Sequence, residues 1–419
     1  MDTNSPNSHR PSTDDRRTVH VVGGGLAGLA TAALIARAGT PVVVHEQRER
    51  LGGRATTDSR NGFRFNRGPH ALYLGGAGVE VLERLGVALP GSRPSTDASR
   101  MVRGGVAHLL PGSAWDLART RLLGVRDKAE LGRFTARLAS VDPDALADVT
   151  VTRWIDDQTT RPRVRTVVHA LVRLAAYTHA PDELSAQVGV MQLQQALGAG
   201  VRYLDHGWER LVEQLASIVT GSGGTIRRHA AVDELPDAAA VVIAAGGPDV
   251  ARRLTGHAFV VGPPSEAAVV DLALAAPPSA RFVVGVDEPY YLSDHGFVRG
   301  MTPDDRWSVS LAQYLAPAGQ AGHDPDRAGL RAFARHAGIT DDAVVDERYL
   351  HRMTTISAIP TAALGGLAGR PSVVVDDLPG VFLAGDWVGS RGHLADAVLA
   401  SAADAAHAAV AHVARSVAA

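Results

Sequence analysis

Cysteine is absent from the 419 residues. That removes disulfides, thiol redox chemistry and thiolate-bound zinc from consideration. Lysine is nearly absent too. Lys128 is the one lysine, so arginine supplies 41 of the 42 basic residues. An excess of either charge is also missing, since 42 basic against 44 acidic residues give a net charge of −2. No electrostatic case therefore exists for a nucleic-acid partner or a strongly anionic membrane. No run of about 18 apolar residues occurs, and no membrane-spanning helix is expected. Residues 1–17 are polar, without the apolar centre of a signal peptide, and are expected to lack fixed structure. A cytoplasmic location is the default expectation. No metal-ligand spacing or Ser/His/Asp set stands out. What remains, 45% hydrophobic and 21% charged residues, is a globular composition with room for two or three domains.

The most informative stretch is residues 18–54. An apolar run at 18–22 reads as a buried strand. Gly23-Gly24-Gly25-Leu26-Ala27-Gly28 follows directly and fits G-x-G-x-x-G. Residues 26–38 read as a helix stopped by Gly39. A second apolar strand at 41–45 ends on Glu46. Glu46 sits close to the position at which the dinucleotide fingerprint carries its ribose-binding acid. In that reading Gly23 makes the tight turn, Gly25 lets the backbone approach a pyrophosphate, and Gly28 packs helix on strand. The helix N-terminus turns its free N–H groups to the phosphates. Strand, turn, helix, strand and acid in this order mark a Rossmann-type α/β unit.

Beyond Glu46 come Gln47, Arg48, Arg50-Leu51-Gly52-Gly53-Arg54, and then Gly68-Pro69-His70. This arrangement resembles the FAD-dependent family of phytoene desaturases, protoporphyrinogen oxidases and flavin amine oxidases. The resemblance implies an E-x-x-x-R-x-G-G-R segment whose Arg54 helps hold FAD. It also implies a Gly68-Pro69-His70 turn beside the flavin ring. Near the C-terminus, an apolar strand ends in Gly385-Asp386-Trp387, and residues 393–401 begin an Ala-rich helix. This is similar to the family's closing motif, in which the Asp binds the ribityl chain and the helix start faces the flavin. Here Ala395 replaces the usual Glu and Asp396 the usual Gly, while Ala397 is kept. A positive helix end there would favour anionic reduced flavin. The missing cysteine excludes the cysteinyl link by which some of these enzymes hold FAD. The cofactor-binding set implied is Gly23, Gly25, Leu26, Ala27, Gly28, Glu46, Gln47, Arg48, Gly53, Arg54, Gly68, Pro69, His70, Val232, Ala245, Gly246, Gly385, Asp386 and Ala397. His70, Trp387 and His393 are the candidates to line the ring.

The middle of the chain divides more coarsely. The expected plan is a tail (1–17), a Rossmann-type FAD-binding domain assembled from 18–90, 201–255 and 366–419, and a substrate domain. The latter comprises a hairpin and helical cap (91–200) and an antiparallel sheet (256–365). Within the cap, Arg119, Arg121, Arg126, Lys128, Arg133 and Arg137 alternate with apolar residues, a pattern also seen in helices lying on membranes. Asp127 and Glu130 interrupt the positive charge, which favours a cap helix with a solvated face; peripheral membrane contact stays open. Residues 225–228, 230–232 and 238–244 read as strands.

The resemblance implies an oxidoreductase that takes a hydride from an apolar or cyclic small molecule and leaves a double bond. The alternatives are a flavin amine oxidase, a non-redox isomerase using reduced flavin, and an FAD-binding protein without catalysis. Against an amine oxidase stands the lack of lysine between 256 and 360, because many of these enzymes use a lysine to hold a water at the flavin. The electron acceptor and the oligomeric state are left open.

Overall fold

The computed structural model describes residues 17–94 and 98–418. The expectation for 1–17 falls almost wholly outside them. The helices, in chain order, are α1 (Leu26–Arg37), α2 (Ala77–Arg84), α3 (Ala114–Arg119), α4 (Val125–Leu138), α5 (Val151–Gln158), α6 (Pro162–Ala176), α7 (Ala186–Leu197), α8 (Glu209–Gly221), α9 (Pro248–Thr255), α10 (Arg327–Ala334) and α11 (Ala395–Ala418).

Three separated segments build one parallel sheet. Its strand order is Thr225–Arg227, Val42–His45, Val19–Val22, Ala240–Ile243, Val381–Leu383. The three central strands are short runs dominated by Val, with His20 and His45 among them, as sheets covered on both faces favour. α1, α8 and α11 bury their apolar sides in one cluster with this sheet. Alanine dominates the packed faces of α1 and α11, which lets the two helices approach closely. By length and composition α11 could cross a membrane, but its buried side belongs to this cluster.

A second sheet of seven strands has the order Val344–Ile356, Ser265–Leu274, Trp307–Tyr314, Tyr290–Asp294, Phe282–Gly285, Arg100–Arg103, Val106–Leu109. All its pairings are antiparallel except Phe282–Gly285 with Arg100–Arg103. The hairpin expected around Gly104-Gly105 is present, both glycines having positive φ. One face packs on α10, and α3 to α7 form the helical cap. The expected fold class, a Rossmann-type α/β domain with an antiparallel sheet and helical cap, is the architecture observed.

Two readings need correction. Residues 230–232 form no strand. Ala230 N–H is spent on the Glu46 carbonyl (2.9 Å), outside any ladder, and the chain leaves the sheet edge there. In the cap, Asp127 leaves the basic face of α4, whereas Glu130 stays beside Arg133 and Arg137. Asp127 is buried and paired with Arg161. Glu130 accepts from Thr160 N and Arg161 N (3.0 and 2.9 Å) at the start of α6. Both acids serve helix starts, which need acceptors, Asp127 that of α4 and Glu130 that of α6.

Candidate flavin site

The three glycines of the first turn have separate physical reasons. Gly23 has φ of +108°, and a Cβ there would lie 2.9 Å from Ala244 O and Ala245 Cβ. A Cβ on Gly28 would lie 1.8 Å from Gly23 O, so only glycine lets α1 close on the strand. Gly25 is different. Its Cβ would meet nothing but Gly52 O at 4.0 Å, so the protein itself does not demand glycine there. The open space leaves room for a ligand to pass close to the backbone. α1 begins at Gly25 with no side-chain cap and no acid in its first turn, although Leu26, Ala27 and Gly28 are buried. A buried, uncapped helix start calls for an anion.

Partners extend this turn in both directions. Glu46 accepts from Gly24 N (2.8 Å) and Arg48 N (2.9 Å), which fixes its carboxylate beside the turn. Each oxygen keeps a second acceptor site. Val232 packs on the sheet near this end, and Gln47 and Arg48 are exposed in the loop. On the other side Gly52 N–H donates to Gly24 O (2.8 Å), bringing Gly53 onto Gly25. Arg54 follows and donates to Asp386 Oδ2 (2.9 Å) and Thr355 O (3.2 Å). Ser357 N–H donates to the same Asp386 oxygen (2.9 Å). Ala245-Gly246 closes on Gly23, and Ser401 Oγ both donates to Gly385 O and accepts from its N–H (2.9 Å each).

Asp386 is almost fully buried. Burial alone would raise its carboxyl, but the Arg54 charge and the Arg54 and Ser357 hydrogen bonds outweigh this and hold it below its ordinary value. Its Oδ1 is buried without a partner, as is Arg370 Nε. Orphaned polar atoms of this kind are costly. A hydroxyl-bearing chain and an anion along the Glu46–Gly25–Arg54–Asp386 track would satisfy them. The residues present therefore fit FAD. Glu46 would hold the ribose, the α1 start and Arg54 the pyrophosphate, and Asp386 the ribityl chain.

The ring-lining candidates separate. His70 is held by the turn before it: Gly68 has φ of +87°, and a Cβ there would press on Met353 Sδ at 2.9 Å. The His70 ring lies 4.9 Å from Trp208 and its Nδ1 2.8 Å from Gly68 O. Burial, then the Arg54 and Arg348 charges, against the Gly68 hydrogen bond, leave its pKa at about 4. His393 is fully buried, its Nε2 donating to Ala176 O (2.9 Å) at the end of α6. It ties α11 to the cap. Trp387 is buried edge-on to Phe259 (5.3 Å) in the core below the parallel sheet. Ala397 is buried in the first turn of α11. Beside it Asp396 accepts from Gly78 N (2.9 Å), so its carboxylate caps α2. Burial raises its pKa to about 6, Glu80 adding and the Gly78 bond opposing.

Sequence reading missed a tyrosine cluster. Tyr177, at the end of α6 with φ of +55°, donates to Pro69 O (3.0 Å) and stands 2.9 Å from Tyr291 Oη. Tyr291 continues to Ser293 Oγ (3.3 Å), and Ser293 to His295 Nε2 (2.9 Å). Tyr314 lies edge-on to Tyr177 (5.6 Å) and stacks on Tyr291 (6.0 Å). Ala267, Val269, Ala312, Leu174, Leu350 and Met353 surround the three rings. Nothing in the spacing of 177, 291 and 314 marks them; only the sheet register and the end of α6 bring them together.

Comparison with known proteins agrees with this geometry. Residues 26–268 match the family described as flavin containing amine oxidoreductase. A phytoene desaturase of Cercospora nicotianae is 42% identical over 79 residues, which is 19% of this chain and 13% of that protein. The chain thus matches well under two thirds of such relatives' length. An oxidoreductase from Methanosarcina mazei has the same fold, with a TM-score of 0.69, 16% identity, and 92% of this chain and 99% of that one covered. A putrescine oxidase bound to putrescine gives a TM-score of 0.69 at 15% identity, covering 94% and 99%. With its matched region spanning more than half of the sequence, the chain belongs to the flavin containing amine oxidoreductase family, whose cofactor, FAD, its parallel-sheet domain fits.

Proposed function

We propose that the protein is an FAD-dependent oxidoreductase that takes a hydride from a C–H bond of an apolar or cyclic molecule and leaves a double bond. The observation that carries this is the surface between the substrate sheet and α6. It is aromatic and aliphatic and abuts the Gly68-Pro69-His70 turn. Bound FAD supplies the hydride acceptor. The protein's own residues orient the substrate and handle the proton that leaves the neighbouring atom. Tyr177, Tyr291, Ser293 and His295 form an unbroken hydrogen-bonded series for that proton. Burial raises Tyr177 and Tyr291 well above ordinary tyrosine values, so both stay protonated and pass a proton rather than keep a charge.

The aromatic trio also supports a second reading, a flavin amine oxidase. It is weaker because the Tyr291 and Tyr314 centroids, 6.0 Å apart, are themselves stacked. Anaerobic mixing with a panel of cyclic and polyene hydrocarbons, porphyrinogens and primary amines tests both. Bleaching by the first two classes is expected; bleaching by amines alone would reverse the order of the readings.

A further inference from the structure

A cleft on the cap, about 220 Å³, lies between α4, α5 and the start of α6, far in sequence from the flavin-binding segments. Its floor is apolar: Phe134, Leu138, Val141 and Trp154, with the Phe134 and Trp154 rings 5.5 Å apart. Its rim carries Arg133 and Arg137, both exposed. Among the described residues neither guanidinium has an acidic partner. Glu130 also lines the cleft, but Thr160 and Arg161 N–H groups and the Thr160 hydroxyl occupy its carboxylate. At 100° per residue, Arg126, Arg133 and Arg137 fall within an arc of about 40° on α4. The chain as a whole carries a net charge of −2, so this stripe is a local accumulation and not a reflection of composition.

We propose that this cleft is a binding site for a soluble amphipathic anion. Its carboxylate or phosphate head pairs with Arg133 and Arg137, and its aliphatic chain lies on the Phe134–Trp154 floor. Arginine's planar fork suits either head group. The volume is below the range of drug-sized ligand sites, about 300–1,000 Å³, and suits a single chain rather than a cofactor. A membrane surface is the rival occupant, since Trp115 and Val125 are 70% and 85% exposed. Val125, however, projects about 100° away from the arginine stripe on α4. α3, which carries Trp115, packs over Gly132 on that other side. The apolar tips and the cleft thus do not form one flat face.

The test is calorimetric titration of the FAD-loaded protein with sodium dodecanoate below its micelle concentration, beside dodecanol and dodecylammonium chloride. Saturable binding of dodecanoate at one site is expected, at least tenfold tighter than either control. Arg133→Gln with Arg137→Gln should weaken it at least tenfold with FAD content and thermal midpoint unchanged. Val141→Trp, which fills the floor, should abolish it while keeping the arginines. Equal binding of dodecylammonium, an unaffected double variant, or association only with phosphatidylglycerol vesicles would each overturn the proposal.

Discussion

Arg54 Nη1 and Asp386 Oδ2 meet at 2.9 Å across 332 positions of sequence. The pair joins the first nucleotide-binding segment to the last, and Ser357 from the substrate sheet shares the same oxygen. Asp386 is the buried partner and Arg54 the partly exposed one. Removing the carboxylate therefore leaves a solvated arginine, whereas removing the arginine leaves a buried charge. Asp386→Ala is expected to weaken FAD at least tenfold, and more than Asp396→Ala does, because Asp396 is turned toward α2. Flavin titration of the two apo-proteins checks this; equal affinities would place the ribityl chain elsewhere.

The two inner glycines are expected to fail differently. Gly28→Val drives a side chain into Gly23 O and is expected to prevent folding. Gly25→Val meets only open space and is expected to give a folded, colourless protein. Circular dichroism paired with flavin release on denaturation distinguishes the two. Stoichiometric FAD in Gly25→Val would mean that no phosphate approaches there.

Asp396 sets a pH dependence with a definite sign. Its folded pKa of about 6 lies above the ordinary 3.8, so the folded state binds the proton more tightly than the unfolded chain. Its contribution to stability is full below pH 4 and is lost as pH rises through 6. Two units correspond to about 3 kcal/mol at most. Asp396→Asn keeps an acceptor for Gly78 N–H and carries no charge. Relative to wild type it is expected to raise the thermal midpoint at pH 8 and to change it little at pH 3. The same increment at both values would remove titration as the cause.

One substitution at two neighbouring tyrosines should have opposite effects. Tyr314 Oη is buried with no partner, so Tyr314→Phe is expected to stabilise by about 1 kcal/mol. Tyr177 Oη holds Pro69 O and Tyr291, so Tyr177→Phe is expected to destabilise by about the same amount. It should also slow flavin reduction and shift its pH profile, which a purely structural hydroxyl would not do. Denaturant midpoints and anaerobic reduction rates over pH supply the measurements.

Lys128 Nζ donates to Ala118 O (2.7 Å) at the surface of the cap, so Lys128→Met should leave flavin reduction unchanged. Rapid bleaching by benzylamine that disappears in this variant would contradict the desaturase-like reading and promote the amine oxidase.

The flavin half of the molecule was legible because its constraints are local. Gly23 and Gly28 are dictated by backbone geometry within one turn, Gly25 by its place in the same short motif, and Glu46 by the length of one βαβ unit. Arg54 and Asp386 each sit in a short motif, so their positions could be read although their pairing could not. The substrate half obeys no such spacing. Tyr177, Tyr291 and Tyr314 come together through a left-handed residue at a helix end and the register of two strands. Arg348, which binds Asp271 and Asp58 and the Asn66 carbonyl, fastens the Gly68 turn to the sheet with nothing in its sequence context to announce it. Asp127 misled for the same reason: a charge pattern records which residues share a helix, but not which helix start consumes them.

The end of α6 has a mechanical consequence. Its last carbonyls are gripped from three directions. Tyr73 holds Ala175 (2.9 Å), His393 holds Ala176 (2.9 Å), and Ser265 and Thr355 hold Tyr177 (3.1 and 3.3 Å). At the opposite end Glu130 clamps Thr160 and Arg161 at the cleft rim. Fifteen residues separate the ends, a rod of about 22 Å. Proline stands only at its start, so the rod has no built-in hinge. Glu130 at the cleft rim and Tyr177, bonded to Pro69, thus stand at the two ends of one uninterrupted helix.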